Sequence, residues 1–133
     1  MKKTILIIIA VFIIIGIAGI VITINKIPIK LELENDAISY IVVRNGTTGE
    51  GITLETEKEI AELVTQFNEL RLVKSKKLGL FVGYTIALTV YNKSDINKFD
   101  SYVVSIDGII HKNYLYSNGD EINLQERLLN MFD

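Results

Sequence analysis

The sequence predicts an α+β domain behind an N-terminal transmembrane helix: an antiparallel sheet of about five to seven strands with one or two helices packed on one face. Three observations lead there. Thr4–Ile24 holds no charged residue and 17 residues from the Ala/Val/Ile/Leu/Phe set. A helix-start signature, Thr56-Glu57-Lys58-Glu59, precedes an apolar stripe at helical spacing. Short alternating segments joined by hairpin-length turns fill the rest, the pattern of an antiparallel sheet.

At 1.5 Å rise per residue, the 21 residues Thr4–Ile24 form a helix of about 31 Å, matching the roughly 30 Å hydrocarbon core of a bilayer. Only a helix satisfies its own backbone there, so the β-branched isoleucines do not argue for a strand. A cleaved signal peptide has a shorter apolar region before its small-x-small site. Gly16-Ile17-Ala18 lies inside the run, with Ile20, Val21 and Ile22 still to follow. The expectation is an uncleaved single-pass anchor over 4–24, a stub at 1–3, a connector at 25–36 and a domain at 37–133. Lys2 and Lys3 precede the helix and Lys26 and Lys30 follow it, a slight bias, and so short a head is expected to stay inside, leaving the C-terminal domain outside the cytoplasm. Gly19-x-x-x-Thr23 is a loose small-xxx-small pattern that an Ile/Gly-rich stretch yields by chance.

Asn25–Lys30, with the single proline Pro28, reads as a short connector. In Ala37–Asn45, Ile38, Tyr40 and Val42 alternate with Ser39, Ile41 and Val43, so both faces are apolar, as in an inner strand. Asn45-Gly46-Thr47-Thr48-Gly49 is a turn, and Ile52–Glu55 a short return strand. The capping box then opens a helix over 57–70, its Ile60, Leu63, Val64, Phe67 and Leu70 on one side and Glu62, Gln66 and Glu69 on the other. Leu72-Val73 starts a short strand in the polar stretch Arg71–Lys77. Full strands follow at Gly83–Asn92, with Tyr84, Ile86, Leu88 and Val90 on one face, and at Phe99–Asp107, with Tyr102, Val104 and Ile106. Asp107-Gly108 signals a two-residue hairpin leading into Ile109–Lys112, and Tyr114–Tyr116 is another strand. Asn123 with Glu126 repeats the capping pattern before a closing helix carrying Leu124, Leu128, Leu129 and Phe132.

Composition removes several chemistries. The chain has no cysteine, hence no disulfide, lipidated cysteine, thiolate metal site or cysteine nucleophile, and its one histidine excludes a multi-histidine centre. His111 has Asp107 as its nearest carboxylate in sequence, but nothing marks a nucleophile, so it reads as an ordinary strand histidine. Serines 39, 75, 94, 101, 105 and 117 sit in no G-x-S-x-G or S-x-x-K motif, and Ser75-Lys76 is adjacent rather than helically spaced. Glu32, Glu34 and Asp36 are scattered. Glu55, Glu57, Glu59 and Glu62 cluster where the helix macrodipole already favours them. Asn118-Gly119-Asp120 is a turn rather than a calcium loop. Gly46, Gly49 and Gly51 make no phosphate loop, while Asn45-Gly46-Thr47 and Asn92-Lys93-Ser94 match the glycosylation sequon but are also good turns. No catalytic, cofactor or metal residue is therefore assigned.

Two groups of side chains are left as candidate surfaces. Arg71, Lys74, Lys76 and Lys77 are the one basic run, read as a strand edge that lysines keep from aggregating, with anionic lipid or an acidic polymer as the functional alternative. Beyond the anchor, the 14 basic residues less Lys2 and Lys3 face 16 acids, so there is no nucleic-acid footprint. Among the tyrosines at 40, 84, 91, 102, 114 and 116, Tyr114 and Tyr116 share a face, and with Tyr91 they offer a groove for a peptide or sugar.

The stretches ISYIVVRNGTTGEGITLETEKEIAELVTQFNELRLVK, GYTIALTVYNK and YVVSIDGIIHKNYLY resemble small extracytoplasmic domains of low-GC Gram-positive bacteria, the YhfM-like type. The resemblance covers Ile38 to Tyr116 and implies a membrane-anchored domain with no assigned catalytic residues. This chain departs from the lipoprotein members by its cysteine-free transmembrane helix. The functional expectation is a non-enzymatic, membrane-tethered module that binds a protein or envelope component. The alternatives are an accessory or inhibitory subunit of a membrane complex, or a small hydrolase built on His111.

Overall fold

A computed structural model of the chain describes residues 1–24, 28–79 and 83–133, without the side chains of 21–24. The apolar run is one helix, α1 (Lys2–Ile24), long and apolar enough to cross a membrane. Asn25–Ile27 of the expected connector, Lys26 included, lie outside the described residues.

The domain is a seven-stranded antiparallel sheet with two helices, the α+β fold expected from the sequence. Its strands are β1 (Ile38–Asn45), β2 (Gly51–Leu54), β3 (Val73–Lys77), β4 (Ile86–Asn92), β5 (Phe99–Ser105), β6 (Gly108–His111) and β7 (Tyr114–Ser117). Spatial order is β2-β1-β4-β5-β6-β7-β3. The helices are α2 (Glu57–Glu69), between β2 and β3, and α3 (Leu124–Leu129), which runs into a 3-10 turn over Asn130–Phe132. Because β2 and β3 form opposite edges, α2 spans the width of the sheet and lays Ile60, Leu63, Val64 and Phe67 on one face. Ile41, Val43, Ile86, Leu88, Val104 and Ile109 rise from that face and are buried, and Leu124 and Leu128 of α3 join the same core.

Local chemistry explains the ends of α2. Thr56 Oγ1 accepts from the Glu59 N–H, and the Glu59 carboxylate accepts from the Thr56 N–H at 3.1 Å and its hydroxyl at 2.8 Å. At the other end Arg71 stands in the left-handed region (φ 51), a place where glycine is usual, and its N–H donates to Asn68 O at 3.2 Å.

Residues 28–35 are part of the domain. Leu31 N–H donates to Leu72 O at 2.9 Å, Lys74 N–H donates to Ile29 O at 2.7 Å, and Lys30 bridges Val73, so this segment pairs along β3. It then crosses beneath α2, where Asn68 donates to Leu33 O at 2.9 Å and accepts from Leu33 N–H at 2.8 Å. Leu31 and Leu33 are buried in the core.

Three expectations are corrected. The β5–β6 loop is Ile106-Asp107, with Gly108 paired to Ser105, so the hairpin turns one residue earlier than Asp107-Gly108. Gly108 instead serves a close approach, since a Cβ there would run into the Tyr116 carbonyl. Lys112-Asn113, read as strand end and linker, is a tight turn with both residues at positive φ (48° and 65°), joining His111 to Tyr114. Asn123 makes no side-chain cap, its φ and ψ of −98° and 8° lying outside the extended geometry a cap requires.

Phe67 is fully buried and meets Tyr102 edge-on at 5.6 Å. Phe67→Ala is expected to cost about 3–5 kcal/mol in denaturant unfolding, with a lower midpoint. Asn68→Asp removes the donor to Leu33 O and sets a carboxylate against that carbonyl. It should cost about 1–3 kcal/mol and raise amide exchange at residues 31–33.

Candidate functional site

His111 and Tyr102 face each other across β5 and β6 on the helix-covered side of the sheet, their rings stacked at 4.3 Å and 14°. His111 Nδ1 lies 3.0 Å from Ser101 O, and a carbonyl partner requires the proton on Nδ1. Nε2 is 3.8 Å from Asp100 Oδ1, and Lys112 Nζ is 3.6 Å from the same oxygen. The carboxylate beside His111 is thus Asp100, not Asp107. A turn placed one residue earlier moves the pairing by two, opposing His111 to Tyr102 rather than to Val104.

No hydroxyl nucleophile meets this ring in the described contacts. Ser101 approaches through its carbonyl while its side chain points to the opposite face. Ser105 Oγ donates to Gly108 O, Ser117 Oγ accepts from Gly119 N–H, and Ser94 Oγ donates to Asn92 Oδ1. Burial, then the charge of Asp100, then Tyr116, push the Tyr102 phenol up to about 12.

Next to this pair a cleft of about 300 Å³ opens between the crossing segment and the ends of β4 and β5. Glu32, Glu34, Lys98 and Asp100 line it with Tyr91, Phe99 and Tyr102. A second open groove, about 410 Å³, lies between α2 and α3 over Leu54, Leu63 and Leu128. No group of three or more metal-ligating side chains occurs among the described residues.

The structure separates the tyrosines that the sequence reading joined. Tyr114 and Tyr116 point into the helix-covered side, where Tyr116 is buried and the Tyr114 ring carries Lys74 Nζ 3.5 Å from its centroid. Tyr91 faces the other way. On that open face Tyr40 stacks on Tyr91 at 4.3 Å, and Phe99 follows at 5.6 Å, one residue from each of three neighbouring strands. A second row, Arg44, Ala87, Val103, Ile110 and Leu115, runs across five strands, separated from the first by the row Val42, Thr89 and Ser101. No described helix packs on this face, and Phe99 is 59% exposed. The aromatic row was missed because neither Tyr40 nor Phe99 stands near Tyr91 in sequence. Only the register Tyr40–Tyr91–Phe99 assembles it.

The remaining sequence candidates are accounted for locally. Asn45 Oδ1 accepts from the Thr47 and Thr48 N–H groups, and Asn92 Oδ1 from the Ser94 N–H and hydroxyl, so both sequons are turns. Asn118 Oδ1 accepts from Asp120 N–H while its amide donates to Leu70 O, tying this turn to the end of α2. Glu59 belongs to the capping box, and its hydrogen bonds to the Thr56 side chain and backbone hold its carboxyl below the usual range. The chain matches no family model, no curated protein and no solved structure.

Alkaline titration tests the Tyr102 environment. The folded state holds the Tyr102 proton to about 12, while an unfolded tyrosine releases it near pH 10. The Tyr102 contribution is therefore complete below about pH 10 and lost as pH rises toward 12. Tyr102→Phe should flatten the fall in melting temperature across that window and remove the last-titrating phenol from the absorbance curve.

Proposed function

We propose that this chain is a single-pass membrane protein whose α+β domain lies outside the cytoplasm and binds a protein partner without catalysing a reaction. The observation that carries the reading is the uncovered sheet face. An α+β domain normally buries apolar side chains under its helices and turns polar ones outward on the other side. Here the outward side presents a Tyr40–Tyr91–Phe99 stack, with Phe99 exposed and both tyrosines half-buried. An aromatic cluster left without a covering layer suits an interaction site, since aromatic residues are favoured at interface centres.

The state of His111 also favours binding over chemistry. A general base needs a ring nitrogen open to a nucleophile. One nitrogen of His111 meets a carbonyl, the other faces a carboxylate, and one side of the ring is covered by Tyr102. The resemblance to membrane-anchored extracytoplasmic domains of Gram-positive bacteria agrees with this reading, as do the length and apolarity of α1.

Photo-crosslinking in intact cells tests the reading. A benzoylphenylalanine at Phe99 is expected to give one discrete adduct, and the same group at the exposed Thr65 of α2 none. Tyr91→Asp should suppress the Phe99 adduct while leaving the melting temperature within a few degrees. Equal adducts at both positions would refute the open face as the binding surface. A reporter fused after Lys30 that is active only in the cytoplasm would refute the orientation.

A further inference from the structure

We infer that the β3 edge of the domain rests on anionic lipid headgroups of the same membrane that holds α1. This inference rests on α1 being the tether. The chain leaves α1 at Ile24 and is fixed to β3 at Lys30, six residues later. At 3.3–3.6 Å per extended residue, the bridge to Val73 lies within about 20 Å of the helix end. Headgroups themselves occupy the first several ångströms beyond the hydrocarbon. The β2 edge has no such constraint: six interstrand spacings, about 29 Å, separate it from β3.

That tethered edge is where the basic side chains gather. Lys30, Arg71, Lys76 and Lys77 are exposed, and none makes an ion pair among the described residues. Glu32 and Glu69 are the nearest acids in sequence on the same side, followed by Asp120 and Glu121 in the turn that Asn118 ties to Leu70. Protection of a bare strand edge accounts for only part of this charge. The backbone of Val73 and Lys74 is already paired on both sides, with β7 and with Ile29–Lys30. Because the domain as a whole is acidic, an anionic surface repels every approach except one led by this edge. The short tether and the charge asymmetry therefore select the same orientation, which holds the open aromatic face steeply to the membrane plane and free for a partner.

The absence of cysteine makes the test direct. A single cysteine replaces Ser75 on the basic edge or Thr47 in the β1–β2 turn, and each carries a nitroxide in the full chain reconstituted in vesicles. Nickel chelated to lipid headgroups should relax the label at 75 several-fold more in vesicles containing phosphatidylglycerol than in phosphatidylcholine alone, and leave the label at 47 little affected. Salt at about 0.5 M, where screening shortens to roughly 4 Å, should erase the difference. Lys76→Glu with Lys77→Glu should erase it too, and the milder Lys76→Gln with Lys77→Gln reduce it. Equal relaxation at 75 in both lipids, with the protein still floating with the vesicles after an alkaline carbonate wash, overturns the lipid contact and leaves the tether intact. Loss of the protein from the vesicles in that wash overturns the tether, and this inference with it.

Discussion

The pairing of Ile29–Leu31 with Leu72–Lys74 is the constraint on which the rest of the arrangement depends. It makes the chain that follows α1 an extra partner of the sheet edge instead of a free linker. The same segment then dives under α2, where the Asn68 amide satisfies both backbone groups of Leu33. A buried backbone without such partners would cost several kcal/mol, roughly 1–3 per group. With them, Leu31 and Leu33 add apolar area to the core, and the direction in which the chain exits the domain is fixed.

This segment and α2 lie on the same side of the sheet, and they divide its two faces into different tasks. Beneath them the side chains from alternate positions of β1, β4, β5, β6 and β7 are packed against helix residues and are nearly inaccessible. On the reverse, the same strands present an aromatic row and an aliphatic row with Thr89 and Ser101 between them, under no described helix. Cross-strand contacts such as Tyr40 on Tyr91 contribute a few tenths to about 1 kcal/mol each, enough to order the surface without a covering layer. Ordered aromatic side chains lose little further freedom on association, which favours binding at such a site.

What could be read from the sequence was what short-range chemistry decides. Thr56 and Glu59 are three residues apart and form their reciprocal hydrogen bonds as the spacing requires; the Ile60–Phe67 stripe meets the sheet; and the strands lie near their expected positions, with β2 shifted by one residue and β4 and β5 shorter at one end. Whether Tyr91 stands with Tyr114 or with Phe99 depends on which face of the sheet each position takes, and the β4–β5 pairing sets Tyr91 opposite Phe99 on the open face. The β5–β6 turn at Ile106-Asp107, one residue before the strongest local signal, brings His111 to Asp100. The tight turn at Lys112-Asn113 escaped notice because a lysine at positive φ carries no compositional mark. Leu31 and Leu33 looked like part of a connector because two apolar residues among charged ones define no period.

The edge position of β3 also bears on how the domain is assembled during synthesis. Its first neighbour, the segment at 29–31, is made before it, but its other neighbour, β7, follows about forty residues later. Until then one flank of a nascent strand stands open, the condition under which newly made chains stick to one another. Consecutive lysines at 76 and 77 repel a second copy during that wait. The charge that meets headgroups in the finished protein thus serves an earlier purpose, keeping the growing polypeptide single until its own C-terminal hairpin arrives.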